Sequence, residues 1–327
     1  MAVANEQSAS EARRWDIADL VHKYGTALIL VVLLIVARYM SDVFLTERNL
    51  LNVLRQISGM GLMAVGMLFV ILTRGIDLSV GSLAALGSVI SAIVAVQYGA
   101  SLGVAAALAA GAICGLVSGV LIAYLSLPAF VTTLAMMTIG RGLSFIVSSG
   151  QPIVMGDAGA AITSFGSGFF FGVPYPVLLM LAVFLIAGIV LSFTRFGRMV
   201  KAIGSNSEAV RLSGISVAHY TVAVYVISGF LAAAAGVVST SRTGVGSATI
   251  GVGGELDAIA AVVIGGASLM GGRGGVTNTL IGCIVLGVIA NLMNLAKVPG
   301  YHQQVFMGVI IIAAMLLQYG STWFKRH

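Results

Sequence analysis

Charge is what this chain has least of. Asp, Glu, Lys and Arg together make up 9% of its 327 residues, against roughly 25% in an ordinary soluble domain. Hydrophobic residues make up 59%. A soluble fold of this length needs a polar shell, and there are too few polar residues to build one. Lipid is the solvent that removes the problem: about 20 mostly apolar residues carry a helix across a hydrocarbon core roughly 30 Å thick. Several stretches here meet that length. The net charge is +6, but the basic residues form no run of five and have no interleaved aromatics, which argues against nucleic acid as a partner.

Other absences narrow the chemistry. No glycine-rich loop is followed by Lys-Ser or Lys-Thr, and no G-x-G-x-x-G sits on a strand-to-helix turn, so the chain has no motif for binding ATP itself. The four histidines are scattered, without metal-ligand spacing. Nothing suggests a nucleophilic triad, and no bound cofactor is expected. Cys114 and Cys283 both sit in apolar segments, where a thiol serves as a small buried hydrophobe. Arg13 and Arg14 are followed by Asp16 and Asp19, with no cleavable small-residue site after a short apolar region. Residues 1–25, which include Lys23, therefore read as a cytoplasmic leader and not as an export signal.

Length, Gly/Pro punctuation and charge position predict an all-α protein of about ten spans. They lie near 26–44, 57–74, 78–97, 103–124, from 129, then 175–193, 219–240, 256–270, 276–296 and 303–319. These form one transmembrane domain, 26–320, followed by a short tail, 321–327. The Gly/Ser-rich stretch 148–172 is the longest outer loop, with a hairpin or re-entrant piece at its tip. With the N-terminus inside, the inner side holds Arg13, Arg14, Lys23, Arg74, Arg195, Arg198, Lys201, Arg211, Arg273, Lys325 and Arg326. The outer side holds Arg38, Arg48, Arg55, Arg141, Arg242 and Lys297. That asymmetry and the even span count put both termini in the cytoplasm.

Of the 42 glycines, Gly111, Gly115 and Gly119 share one helix face, which lets a second helix approach closely in lipid. A faint internal repeat is also present. Asp77 opens a small-residue-rich span and Pro128 breaks the chain before the fifth; Asp257 opens the eighth and Pro299 breaks the chain before the tenth. Two blocks five spans apart enter the membrane from opposite sides, as inverted repeats of transporters do.

Three polar segments carry the remaining information. The first, 194–217, is the one substantial polar stretch between spans and includes Arg198, Gly204, Ser205, Asn206, Glu208, Ala209, Arg211 and Gly214. Ser205 and Glu208 fit a capping box, Gly214 fits a left-handed helix stop, and Glu208 and Arg211 are spaced to pair. Only about eight residues lie between the caps, too few for a helix that stands alone. It is either an ordinary connector or a helix that docks, with Ala209, Val210, Leu212 and Ile215 for contacts. The second segment is Gly75-Ile-Asp-Leu-Ser-Val-Gly81, where Asp77 and Ser79 either cap the third span or meet a substrate or proton. The third runs from Gly254 to Gly275, with Glu255 and Asp257 at its start.

These three segments resemble the signature stretches of the ribose-type sugar permeases, membrane subunits of bacterial ABC importers, and the resemblance spans about 50–319. It implies a fold like that of the vitamin-B12 importers, about ten helices per subunit paired as a homodimer in the inner membrane. It implies ABC ATPase subunits bound at the cytoplasmic loop around Gly204 to Gly214, a short coupling helix at Asn206 to Ser213, and a periplasmic sugar-binding protein on the outer face. An importer of nucleosides or branched-chain amino acids, from the same superfamily, is one alternative. An ion-coupled secondary transporter is the other, and it needs acids near the midplane; Asp77, Glu255 and Asp257 are all expected near span ends.

Overall fold

A chain in lipid must satisfy its backbone polar groups internally, and a helix does so within one segment. The computed structural model describes the backbone of residues 17–324, with side chains at 26–310, Ile312 and Leu316. Most of the leader and Lys325, Arg326 and His327 lie outside the described residues. In chain order the helices are α1 (Ile17–Met40), α2 (Glu47–Leu72), α3 (Val80–Tyr98), α4 (Ala100–Tyr124), α5 (Ala129–Val147), α6 (Ala160–Ser167), α7 (Tyr175–Phe193), α8 (Arg195–Leu212), α9 (Val217–Thr243), α10 (Gly254–Ile264), α11 (Val276–Leu295) and α12 (Gly300–Phe324). A 3-10 turn (Gly156–Gly159) and four two-residue strands complete the set: β1 (Ile153–Val154), β2 (Phe169–Phe170), β3 (Val173–Pro174) and β4 (Val245–Gly246).

The fold is all-α, and each predicted span has a helix; α6 falls in the predicted outer loop and α8 in the polar segment. Among the described residues, α2 to α5, α7, α9 and α11 are long and apolar enough to cross a membrane. Two helices extend beyond the predicted bounds. Helix α1 starts at Ile17, inside the predicted leader, and α12 runs to Phe324, past the predicted end of the domain. The span predicted at 256–270 is a larger correction: α10 has 11 residues, about 16 Å of helix and half a crossing. Its backbone leaves the helix where Gly266, Gly271 and Gly272 take φ of +79°, +81° and +73°.

Helix α9 is the centre of the bundle, packed by α2, α3 and α4. The small-residue stripe on α4 explains the closest of these contacts. A Cβ added at Gly111 would meet the carbonyl of Gly229, one at Gly115 the carbonyl of Tyr225, and one at Gly119 the Val222 backbone. The two helices touch backbone to backbone, which is where dispersion is gained when water is absent. The core beside them holds the fully buried Leu62, Met67, Leu68, Leu83 and Leu286.

The bundle has two distinct ends. At one, α6 sits with β1 paired antiparallel to β4 (Ile153 opposite Gly246) and β2 to β3 (Phe169 opposite Pro174). At the other, α8 lies against the end of α2. Thr26 in α1 donates to the carbonyl of Ile264 at the α8 end, and α12 returns toward that end after Gln303 bonds Asn294. Both ends of the described chain therefore finish on the α8 side.

Two helices begin inside the bundle. Residues 73–79 turn in from the α8 end before α3 starts, and 244–253 descend from the α6 end before α10 starts. Ser247 donates its amide to the Ser88 hydroxyl, and Gly246 lies against Ala92, which tracks that descent along α3. The first turns of α3 and α10 meet where Gly81 abuts the Gly251 carbonyl and the Glu255 carboxylate. They then run apart, α3 toward the α6 end and α10 toward the α8 end.

Candidate functional site

At the α8 end, helix α8 is two helices joined at a kink. Asn206 has φ −158° and ψ 93°, an extended residue inside the helical run. Its side-chain oxygen accepts from the amide of Ala209 at 3.0 Å, so Asn206 caps the second half. The expected capping box is corrected: the Ser205 hydroxyl donates backward to the Lys201 carbonyl, and Glu208 pairs forward with Arg211 at 2.6 and 2.9 Å. Those hydrogen bonds hold the Glu208 carboxyl below the usual carboxylate range. Gly214 closes the helix at φ +79°, as its position predicts.

The reason for the kink is a close approach beneath it. A Cβ on Gly204 would meet the Leu72 carbonyl and the Gly272 amide, and Gly272 donates to that same carbonyl at 3.0 Å. Three backbones cross at one point, joined to Arg74, whose Nε donates to the Met270 carbonyl at 2.6 Å. The second half of α8 then stands over a cleft of about 460 Å³ lined by Thr73, Gly75, Ile203, Ser207, Ser216 and Tyr225. Of its expected contacts only Val210 is buried; Ile215 is half-buried, and Ala209 and Leu212 are exposed. Leu212, next to Arg211 in the chain, is an apolar side chain 75% exposed. A single turn of helix with an unspent apolar residue needs a partner surface.

Deeper in, Asp77 is fully buried. One carboxylate oxygen accepts from the Ser79 amide at 3.0 Å and the Ser79 hydroxyl at 2.5 Å. The other accepts from Ser228 at 2.7 Å. The predicted cap is thus only half right: Asp77 binds the residue that precedes α3, while Ser79, at the cap position itself, makes no side-chain cap bond. Asp77 stands just before α3, near a span end as expected; within the bundle it lies level with Ser228, eleven residues beyond Val217 and roughly 16 Å along α9. Gly75 and Gly81 flank it for steric reasons, with the Tyr225 hydroxyl against the first and Glu255 against the second.

Glu255 and Asp257 occupy the first turn of α10 and are half-buried, their carboxyl groups without a hydrogen-bond partner among the described residues. Arg141 of α5 lies within electrostatic reach of Glu255 and donates to the carbonyls of Ala248 and Ile250. It was expected on the outer side; it sits inside a helix, level with Ser82, whose hydroxyl lies against Gly140. Arg141, Ser228 and Tyr225 were missed by sequence reasoning. An arginine in the middle of an apolar span was the one available signal, since such residues face a bundle interior or water. Ser228 and Tyr225 look like ordinary residues of a span.

Residues 49–315 match the family described as branched-chain amino acid transport system / permease component. The chain is 44% identical over 314 residues to the ribose import permease protein of Escherichia coli (strain K12), covering 95% of this chain and 98% of that one. The ribose import permease protein of Bacillus subtilis (strain 168) is 40% identical, over 95% and 97% of the two chains. The L-arabinose transport system permease protein of Escherichia coli (strain K12) is 38% identical, over 96% and 93%. No solved structure matches the chain.

Proposed function

This chain belongs to the family of bacterial transport-system permeases, and from that membership we propose that it is the membrane subunit of an ATP-driven importer of a monosaccharide. The observation that carries the reading is end-to-end similarity to ribose and arabinose permeases. Branched-chain amino acids are named in the family description, but the relatives that cover the chain act on sugars. An ion-coupled mechanism has its strongest candidate in Asp77, whose depth would suit it. Both Asp77 oxygens already accept protein hydrogen bonds, which argues for a structural anchor.

The α8 end is the cytoplasmic end in this reading. It gathers Arg74, Arg195, Arg198, Lys201, Arg211 and Arg273, and such enrichment marks the inner side. Both termini are then cytoplasmic, and 194–217 is the loop that binds an ABC ATPase. The half-helix 207–212 transmits ATPase motion to the backbone crossing at Leu72, Gly204 and Gly272, and from there to residues 73–79. A periplasmic sugar-binding protein docks on the α6 end. Two copies pair along α5, where Phe130, Val131, Leu134 and Ile139 are exposed. Arg141, Glu255 and Asp257 then line a wet path between the copies, because charged groups at that depth need water or each other.

Reconstituted vesicles test the scheme. Uptake of ribose or arabinose is expected to require ATP on the ATPase side and the binding protein on the opposite side, and to persist when ion gradients are collapsed. Uphill uptake by the purified chain alone on an imposed ion gradient would overturn the ATP-driven reading. Uptake that needs all three partners and carries only amino acids would keep the machine and discard the sugar.

A further inference from the structure

Two arginines at the α6 end have no ion-pair partner among the described residues. Arg55 lies in α2 and Arg242 in the last turn of α9. These helices pack antiparallel, with Gly66 against Ser228 and Gly59 against Ala235 and Ser239. The same register brings Arg55 level with Arg242, and the two are within electrostatic reach of each other. Arg55 Nε is buried with no hydrogen-bond partner, and its guanidinium lies 4.9 Å from the centroid of the Phe169 ring. The ion pairs among the described residues, Arg38–Asp42 and Arg211–Glu208, are elsewhere. Like charges placed together without an acid repel, and an anion between them relieves both.

The helix faces that carry these arginines continue into an apolar groove. It measures about 530 Å³ and is lined by Val104, Leu108, Phe165, Val183, Phe230 and neighbours from α2, α4, α6, α7 and α9. Ser101 is the one polar side chain in the lining. On α9, Arg242 stands four residues past Val238 of the groove, on the same face; on α2, Arg55 stands seven residues before Leu62, again on the same face. Both cations therefore stand on the helix faces that line the groove, beyond its lining residues toward the α6 end.

We propose that this groove is a phospholipid site, with an acyl chain along its floor and the phosphate between Arg55 and Arg242. An acidic peptide would answer the charges and leave the groove empty. A second copy of the chain would cover the groove and leave the charges unmet. A phospholipid supplies an anion and an apolar chain joined at the required end, and the proposal does not depend on what the transporter carries. Arginine suits the task because its planar fork holds phosphate by paired donors.

Native mass spectrometry of the assembled, detergent-purified transporter, titrated with phosphatidylglycerol, reads the site. One retained phospholipid per copy of this chain is expected in detergent that strips bulk lipid. The double variant Arg55→Gln, Arg242→Gln should weaken retention at least tenfold, and Ala234→Trp, which fills the groove and spares both arginines, should do the same. The double variant Arg55→Lys, Arg242→Lys keeps the charge and should keep most of the lipid, which separates lost binding from lost folding. Undiminished retention in either weakening variant would overturn the proposal. Loss of binding-protein response in the glutamine variant with lipid intact would give the arginines to a soluble partner. Dissociation of the two copies in Ala234→Trp with lipid intact would give the groove to a protein interface.

Discussion

The two segments that enter the bundle without helix make an instructive pair. Residues 73–79 enter from the α8 end and carry a carboxylate whose oxygens are fully engaged by Ser79 and Ser228. Residues 244–253 enter from the α6 end and deliver Glu255 and Asp257, which are half-buried and whose carboxyl groups have no hydrogen-bond partner among the described residues. Both place acid at the start of a helix, where free amides and the dipole favour it. The first acid has been spent on holding α3 to α9. The second pair has no such donors, and in the proposed scheme it faces the path. The same local chemistry yields a bonded acid in one place and unbonded acids in the other, and what differs is the number of donors packed around them.

The largest effect expected from breaking this contrast is at Asp77. Asp77→Ala removes the acceptor of three buried donors, and leaving them unmet costs about 3 kcal/mol or more. A clearly lowered melting temperature of the purified chain is the expected readout; an unchanged one would show that the network does not hold the fold. Ser228→Ala removes one donor and should cost about 1–2 kcal/mol, so the two variants rank the acid against one of its donors.

Glu255→Gln and Asp257→Asn should do the opposite. With no bonded partner to lose, melting should shift by no more than about 0.5 kcal/mol equivalent, while uptake in vesicles falls sharply. Full uptake with a large melting loss would place these acids in the scaffold and erase the distinction.

The smallest effect concerns acidity at the α8 end. The Glu208 carboxyl is held low by Arg211. A depressed folded-state value means that the pair's contribution is present above the unfolded value and lost as pH falls through the lower folded one. Association of the chain with its ATPase, measured between pH 8 and pH 5, should therefore not change through this pair. Weakening already at pH 6 that vanishes in Glu208→Gln would contradict it.

What the sequence determined by itself is the part set by transfer free energy and local chemistry. Scarcity of charge and apolar runs of spanning length fixed a membrane bundle, since lipid tolerates little else. The Gly111, Gly115 and Gly119 stripe announced a close helix contact, and the Glu208–Arg211 pair and the Gly214 stop followed from spacing within one turn. The motifs at Gly75 and Glu255 were also visible, and they pointed to a family. Only the tertiary structure decided depth. A stretch such as 73–79 or 244–253 reads the same whether it lies at a membrane surface or is drawn inward, because nothing local records how far α9 carries Ser228 from the end of the bundle. The same limit explains why Ser205 was read as the cap and Asn206 was not: the kink exists because Leu72 and Gly272 cross beneath Gly204, and those residues are distant in sequence. Arg141, Arg55 and Arg242 follow the same rule. Their types are in the sequence, but which of them meets a carbonyl, an acid or an uncompensated neighbour depends on helices that come together only when the chain is folded.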